Sequence, residues 1–272
     1  MSSGVVNATW YEMGESLQPV HAEIIEEAPV TLYVNGKELA TIMCTPRDQE
    51  DLAIGFLANE GMLDALAEVE HIHLGGDGCC VDVWLDHPVK FPERRILTSG
   101  CGGGMIFQDP SVDIEPIPDG LVIDKDALIH QFNMLQSSGS LYARARGVHS
   151  AGLTDGERLL AVTEDVGRHN TIDKLFGVCL RKGIDPSGLI LIATGRLSSE
   201  MLQKATRMGC AIVASRNSPT SLSVKMAEAW KITLIGYVRR KGMRVYTHPQ
   251  RVQPSRENSA ERLSSIVEGS GP

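Results

Sequence analysis

The sequence predicts an α/β protein whose second half holds a layered sheet with helices on its faces. Three runs, Leu159–Thr163, Leu189–Ala193 and Ala211–Ser215, are short and almost wholly apolar, as buried strands are. Each is followed by a polar loop and then by helical periodicity, and that repetition is how α/β layers are built. An earlier stretch rich in β-forming residues points to a second lobe, and a proline- and glycine-rich segment separates the two.

From the N-terminus, residues 1–20 show no clear period and are expected to be a flexible lead-in. Val30–Val34 and Leu39–Cys44 flank Asn35-Gly36, the strongest short signal for a hairpin. Gln49 to Glu60 sets Leu52 and Phe56 at helical spacing, with Gly61 as a stop. Val69–Leu74 reads as a strand, and Val81–Leu85 reads as alternating apolar and acidic side chains, as a half-exposed antiparallel partner would. Residues 21–97 are therefore expected to form the small lobe and 98–120 a long loop. Asp124 to Gln136 reads as a helix capped by Asp124, with positions 127, 128, 132 and 135 on one side. Ile232–Val238 and Val245–Thr247 flank a cationic loop and suggest a terminal hairpin. The larger domain then runs over 121–252, and the polar residues 253–272 are expected to be disordered.

Composition narrows the function. Lys and Arg number 26 against 34 Asp and Glu, a formal net charge of −8, which argues against a surface built for nucleic acid or an anionic membrane. No run approaches the roughly 18 apolar residues of a membrane span, and the first residues lack a secretory pattern, so a cytoplasmic location is expected. Six cysteines scattered through 272 residues suit a reducing compartment better than a disulfide scaffold.

Chemistry gathers at a few places. Cys101 sits among Gly100, Gly102, Gly103 and Gly104, which leave a sulfur uncrowded; a reactive thiol and a tight turn both fit those residues. Cys79-Cys80 with His71 and His73 do not make the usual tetrahedral set, and Cys44, Cys179 and Cys210 read as core. Glu164 to Lys174 follows a strand and enters a helix, bringing Arg168, His169 and Asn170 to one corner. Such density at a strand end points to a ligand, with a capped helix start as the plainer account. Thr194 to Glu200, with Gly195 and Arg196, and Ser215 to Ser221, with Ser218 and Thr220, again lead from strand to helix, where free N–H groups favour an anion. Arg239, Arg240, Lys241 and Arg244 put four cations into six residues, a patch able to hold a pyrophosphate or simply a soluble hairpin tip.

Together these segments closely resemble the FdhD family of sulfurtransferases or sulfur carriers needed for active formate dehydrogenase. The resemblance runs from Glu27 to Pro249 and rests on Glu164-Asp-Val-Gly-Arg-His-Asn170 with Asp173-Lys174, Thr194-Gly-Arg-Leu-Ser-Ser-Glu-Met201, Ser218-Pro-Thr220 and Val245-Tyr-Thr-His-Pro249. It implies a cytidine-deaminase-like three-layer α/β/α domain, a smaller N-terminal β-rich α+β lobe, and a homodimer. It implies that Cys101 accepts persulfide sulfur from a cysteine desulfurase and passes it to the molybdenum bis(molybdopterin guanine dinucleotide) cofactor of the formate dehydrogenase catalytic subunit. The guanine nucleotide moiety would be held in part by the turn matching Tyr237, Val238, Arg239, Arg240, Lys241 and Gly242, and the cofactor is a bound substrate rather than a resident metal. A non-catalytic chaperone that binds and delivers the same cofactor is the alternative. Many members carry Cys-x-x-Cys in the loop; Gly104 stands at the second position here, so a two-cysteine relay is not available in it. No His-x-Glu with Pro-Cys-x-x-Cys is present, so zinc deamination is unsupported.

Overall fold

Two separate apolar cores organise the chain, seen here in a computed structural model that describes residues 2–91, 96–97, 105–106 and 121–254. The first core is built by a four-stranded sheet and one helix. Strand β1 (Val5–Met13) and β2 (Leu17–Ile25) precede it as a separate antiparallel hairpin. The sheet itself contains β3 (Ala28–Val34), β4 (Lys37–Cys44), β5 (Val69–Leu74) and β6 (Cys80–Leu85), in the order β4-β3-β6-β5. Asn35 and Gly36 take φ of 49° and 73°, the left-handed pair that a two-residue hairpin needs. Helix α1 (Gln49–Asn59) buries Leu52, Phe56 and Leu57 with Val30, Leu32, Val81 and Val83 of the sheet. Strands β7 (Ile96–Leu97) and β8 (Met105–Ile106) pair with each other, and Cys101 falls between them, outside the described residues.

The second core follows. Strand β9 (Ile123–Asp124) leads to α2 (Lys125–Ser138), whose first turn is capped by the Asp124 carboxylate accepting from the N–H groups of Asp126 and Ala127. Next come α3 (Ser140–Ala145), β10 (His149–Thr154), β11 (Leu159–Asp165), α4 (Arg168–Lys182), β12 (Ile190–Ala193), α5 (Ser199–Arg207), β13 (Ile212–Ser215), α6 (Ser221–Ala229), β14 (Thr233–Arg239) and β15 (Gly242–Val245). The short β16 (Val252–Gln253) closes the chain by pairing with β9.

The large sheet has the order β11-β10-β12-β13-β14-β15. Strand β10 is antiparallel to both β11 and β12, while β12, β13 and β14 are mutually parallel. Strands β11 to β14, β10 apart, therefore point the same way, and their C-terminal ends share one edge. The three connections through α4, α5 and α6 all advance in one direction, so right-handed crossovers place those helices on one face. Helix α2 packs on β10, β11 and β14.

The lobes meet along α1 and α4. A Cβ on Gly55 would lie 1.7 Å from the Asp173 carbonyl oxygen, and one on Gly177 would lie 2.0 Å from that of Asp51. Glycine at both positions lets the two backbones touch.

Three expectations need correction. Residues 1–20 are not featureless: β1 and β2 pair over their whole length, and the expected boundary at residue 21 falls inside β2, opposite Thr9. The hairpin makes most of its contacts with itself, so its apolar residues lie on an exposed ribbon rather than in a core pattern. Strand β10, unforeseen, lies at the heart of the sheet; Ser150-Ala151-Gly152 gives little hydrophobic signal because small residues fit where Leu135 and Ile192 crowd in, a Cβ on Gly152 lying only 3.1 Å from Leu135. Gln253, expected in the tail, belongs to β16.

Candidate functional site

Three strand-to-helix turns and one hairpin tip converge on the edge where β11, β12, β13 and β14 end. At the first, Asp165 closes β11 and is fully buried. It accepts hydrogen bonds from Gly167 N at 2.8 Å, Asn170 Nδ2 at 2.8 Å and Thr45 N at 3.1 Å, and lies 2.6 Å from Lys174 Nζ. Asn170 also donates to the Met43 carbonyl at 2.9 Å. Much of the charge-dense segment thus joins the lobes. Arg168, one residue into α4, instead lines a cavity.

The second turn lies directly beneath it. A Cβ on Gly195 would sit 2.8 Å from Arg168 Cβ and 3.4 Å from His149 Nδ1, so glycine lets the Arg168 side chain lie across the end of β12. Thr194 Oγ1 accepts from Ser150 N at 2.9 Å, and Ser198 caps α5 by accepting from Met201 N. His169 is buried, its Nε2 3.1 Å from a Glu200 carboxyl oxygen and 3.3 Å from Ser198 Oγ. The nearby carboxyl favours the imidazolium, but burial and then the Arg168, Lys204 and Arg196 cations prevail, and the pKa of His169 falls to about 2. It therefore stays neutral at physiological pH.

The third turn is stitched to the second. Ser215 Oγ donates to the Gly195 carbonyl at 2.5 Å and Asn217 Nδ2 to the Thr194 carbonyl at 3.0 Å, while Leu197 and the 218–220 segment exchange backbone bonds. Thr220 caps α6 through Ser223 N. The β14–β15 hairpin joins through Tyr237 N, which donates to the Asn217 carbonyl at 3.2 Å. Tyr237 takes a φ of 53°, and Arg244 stacks 4.3 Å from its ring.

Between these parts lies a cavity of about 300 Å³ lined by His149, Val166, Arg168, Arg196 and Asn217. A second, of about 240 Å³, shares Asn217 and is lined by Phe132, Tyr142, Ser150, Thr194 and Arg216 among others. Burial first and Arg168 second hold His149 below the usual imidazole value; burial, then the neighbouring Arg239, hold Arg216 below its own. Three guanidiniums, Arg168, Arg196 and Arg216, thus line two adjoining cavities of an otherwise acidic chain, with Arg239 beside Arg216. Such a site suits a phosphate or pyrophosphate joined to something flatter.

Of the residues singled out in the sequence, Arg168, Gly195 and Arg196 meet in this cleft. Arg239, Arg240 and Lys241 are exposed around the adjoining hairpin tip with Gly242, and Ser218 and Thr220 support the third turn. His169 and Asn170 face inward, and Val238 is buried in the core. His149 was not foreseen because β10 was not, Phe132 reads as an ordinary helix residue, and Tyr142 carries no signal of its own. Among the described residues no three His, Cys, Asp or Glu side chains are placed to hold a metal; near Cys79 and Cys80, His71 stacks on Trp84.

Four of the five described cysteines carry thiols raised above their ordinary value, and the fifth, Cys80, is half-buried. Cys44 and Cys179 are buried, with thiols pushed up to about 12 mainly by burial, and burial raises Cys210 as well. Cys79 is exposed, but its hydrogen bond with Asp77 pushes it up to about 11.

Residues 25–253 match the sequence model of the FdhD/NarQ family. The chain belongs to the FdhD/NarQ family. Among FdhD relatives, the sulfur carrier protein FdhD of Bacillus subtilis (strain 168) is 36% identical, over 91% of this chain and 97% of its own. That of Bacillus pumilus is 38% identical, over 85% and 90%. A crystal structure of a candidate formate dehydrogenase accessory protein from Desulfotalea psychrophila superimposes with a TM-score of 0.76 at 25% identity, covering 92% of this chain and 99% of that one. Among the described residues of this FdhD/NarQ chain, no helix is long and apolar enough to cross a membrane.

Proposed function

We propose that this chain is a cytoplasmic sulfur carrier with sulfurtransferase activity that serves formate dehydrogenase. Cys101 is the sulfur-bearing residue. Its thiolate attacks the terminal sulfur of a persulfide on a cysteine desulfurase; one S–S bond forms as another breaks, and the donor leaves as a thiolate. The persulfide on Cys101 then yields that sulfur to molybdenum in the bis(molybdopterin guanine dinucleotide) cofactor, which is the substrate. Cys101 departs as a thiolate, and the electron pair that makes the sulfur a sulfido ligand comes from the reduced metal.

The observation that carries this reading is the cationic cleft at the strand ends. Arg168, Arg196 and Arg216 suit the pyrophosphate of a guanine dinucleotide, with Arg239, Arg240 and Lys241 on the adjoining tip to extend the contact. Raised thiols at Cys44, Cys79, Cys179 and Cys210 make those four poor nucleophiles, and between Cys80 and Cys101 the match of the glycine-flanked segment to the family favours Cys101. The sheet with α4 to α6 on one face and α2 packed on it fits a cytidine-deaminase-like α/β/α scaffold, used here to hold a nucleotide rather than to deaminate one. The dehydrogenase catalytic subunit is the acceptor, and the carrier works as a homodimer.

Incubation with a cysteine desulfurase and cysteine should add about 32 Da, one sulfur atom, at Cys101. Cys101→Ala should lose that adduct and fail to restore formate dehydrogenase activity in cells lacking the chain. Full restoration by Cys101→Ala would leave a cofactor-binding and delivery chaperone in its place.

A further inference from the structure

The two lobes carry opposite charge. Residues 1–91 hold 16 Asp and Glu against three Lys and Arg, a formal net charge of −13, whereas residues 121–254 hold 10 against 19, a net charge of +9. The first lobe also leaves one face of its sheet open. Side chains alternate along a strand, and the register that turns Val30, Leu32, Val81 and Val83 toward α1 turns Tyr33, Met43, His71, His73, Asp82 and Trp84 to the other side. Met43 and Trp84 are 41% and 37% exposed there. His71 stacks on the indole, and Trp84 Nε1 donates to Asp82 at 3.0 Å, which fixes the ring. Glu70 is exposed at the β5 bulge, and Asp77 and Asp86 are exposed just past the strand ends; among the described residues no Lys or Arg stands on this face. Its Met43 end reaches the second lobe, where Asn170, in the same turn of α4 as Arg168, donates to the Met43 carbonyl.

We propose that this open sheet face docks the protein that receives the cofactor, meeting a basic surface around the receiving cavity; the identity of that partner rests on the sulfur-carrier reading above. The pyrophosphates of the cofactor are anionic, so a protein that seats it must offer cations, as Arg168, Arg196 and Arg216 do here. Two cationic cavities brought together for a handover repel each other. An acidic lobe beside one of them supplies the attraction that the cavities lack, since complementary potentials speed encounter and fix orientation. Trp84, rimmed by carboxylates, gives the contact an aromatic anchor, and a few such side chains carry most of the energy of an interface. A second copy would meet its own image across a two-fold axis, so the single sign of charge on this face repels it. Nucleic acid and an anionic bilayer are repelled in the same way.

Biolayer interferometry between the full chain and a formate dehydrogenase catalytic subunit purified without its cofactor tests it. Wild type should bind, and raising the salt from about 50 mM to about 300 mM should weaken binding at least about tenfold, mainly through slower association. Glu70→Lys with Asp86→Lys should weaken it about tenfold or more at the lower salt and flatten the salt dependence. Trp84→Ala should weaken it about thirtyfold through faster dissociation. Glu157→Lys, which reverses an exposed carboxylate in the β10–β11 turn of the other lobe, should leave binding within about threefold. The melting temperature establishes that the variants are folded, and their affinity for GDP should not fall. A wild type that does not bind, binding untouched by both changes on the face, a loss confined to cysteine desulfurase binding, or self-association through this face would each overturn the proposal. The sulfur-carrier reading fails separately: if Cys101 gains no sulfur while the subunit still binds on this face, that reading falls and the docking surface stands.

Discussion

Lys174 Nζ lies 2.6 Å from Asp165 Oδ2, and neither side chain reaches solvent. The same ammonium donates to the Thr45 carbonyl at 3.0 Å while Asp165 accepts from Thr45 N, so the pair grips the end of β4 and holds the first lobe to the strand-end turn. Removing one member of a buried pair strands the other. Lys174→Met should therefore cost about 3–5 kcal/mol in urea unfolding at neutral pH, and Lys174→Met with Asp165→Asn should cost less than Lys174→Met alone. A loss below about 1 kcal/mol for the single change would mean that the carboxylate finds water or another donor.

Gly55→Ala should separate the lobes. Its Cβ would fall 1.7 Å from the Asp173 carbonyl oxygen, and because that atom is backbone, no rotamer change relieves the clash. Helices α1 and α4 must move apart, which opens the contacts around Asn59 and Asp173, now 2.7 Å apart. The expected destabilisation is at least about 1–3 kcal/mol, read as a lowered melting temperature. Gly177→Ala, 2.0 Å from the Asp51 carbonyl oxygen, should behave alike.

Both predictions bear on what the sequence discloses. Periodicity and turn chemistry were enough for the Asn35-Gly36 hairpin, the Asp124-capped helix and the three buried strands, because each is decided by neighbours along the chain. The roles within Glu164 to Lys174 are decided by Thr45 and Met43 more than a hundred residues away, so the sequence shows a dense polar corner without showing that Arg168 faces a cavity while Asn170 faces the other lobe. His149 stayed hidden for the same reason. Its strand is read only from the partners that enclose it.

Acid should weaken the fold through His169. Its folded pKa is about 2, against about 6.5 in an unfolded chain, so below pH 6.5 the unfolded state binds a proton that the native state refuses. Stability is thus fully present above pH 6.5 and is lost progressively as pH falls toward 2. Between pH 7 and 5 the contribution is about 2 kcal/mol, and His149, also held low, acts in the same direction. Urea unfolding of His169→Gln at the two pH values should show a smaller loss by about that amount; an identical loss would remove His169 as the cause.

Gly195→Ala tests how the cleft is assembled. The added methyl would press on Arg168 Cβ at 2.8 Å, whereas its other near neighbours are side-chain atoms able to shift. The guanidinium should swing out of the cavity with a modest effect on stability, below about 2 kcal/mol. Affinity for GDP, a guanine nucleotide with a pyrophosphate, should fall about tenfold by calorimetry, the loss of one well-placed charged hydrogen bond. Unchanged affinity would separate Arg168 from phosphate binding.

Exposure and reactivity should part company at Cys79. The thiol is open to solvent, yet its hydrogen bond with the Asp77 carboxylate pushes its pKa up to about 11, leaving little thiolate at neutral pH. Iodoacetamide at pH 7.5 should label it more slowly than a free cysteine of ordinary pKa. Asp77→Asn removes the negative charge and leaves only a weaker neutral acceptor for the thiol, so labelling should accelerate about tenfold or more. The change lies at the tip of the β5–β6 connection, away from both cores, so the melting temperature should stay put and serve as the control. If Cys79 labels as fast in wild type as in Asp77→Asn, the carboxylate does not govern the thiol, and Cys79 regains standing as a second sulfur nucleophile beside Cys101.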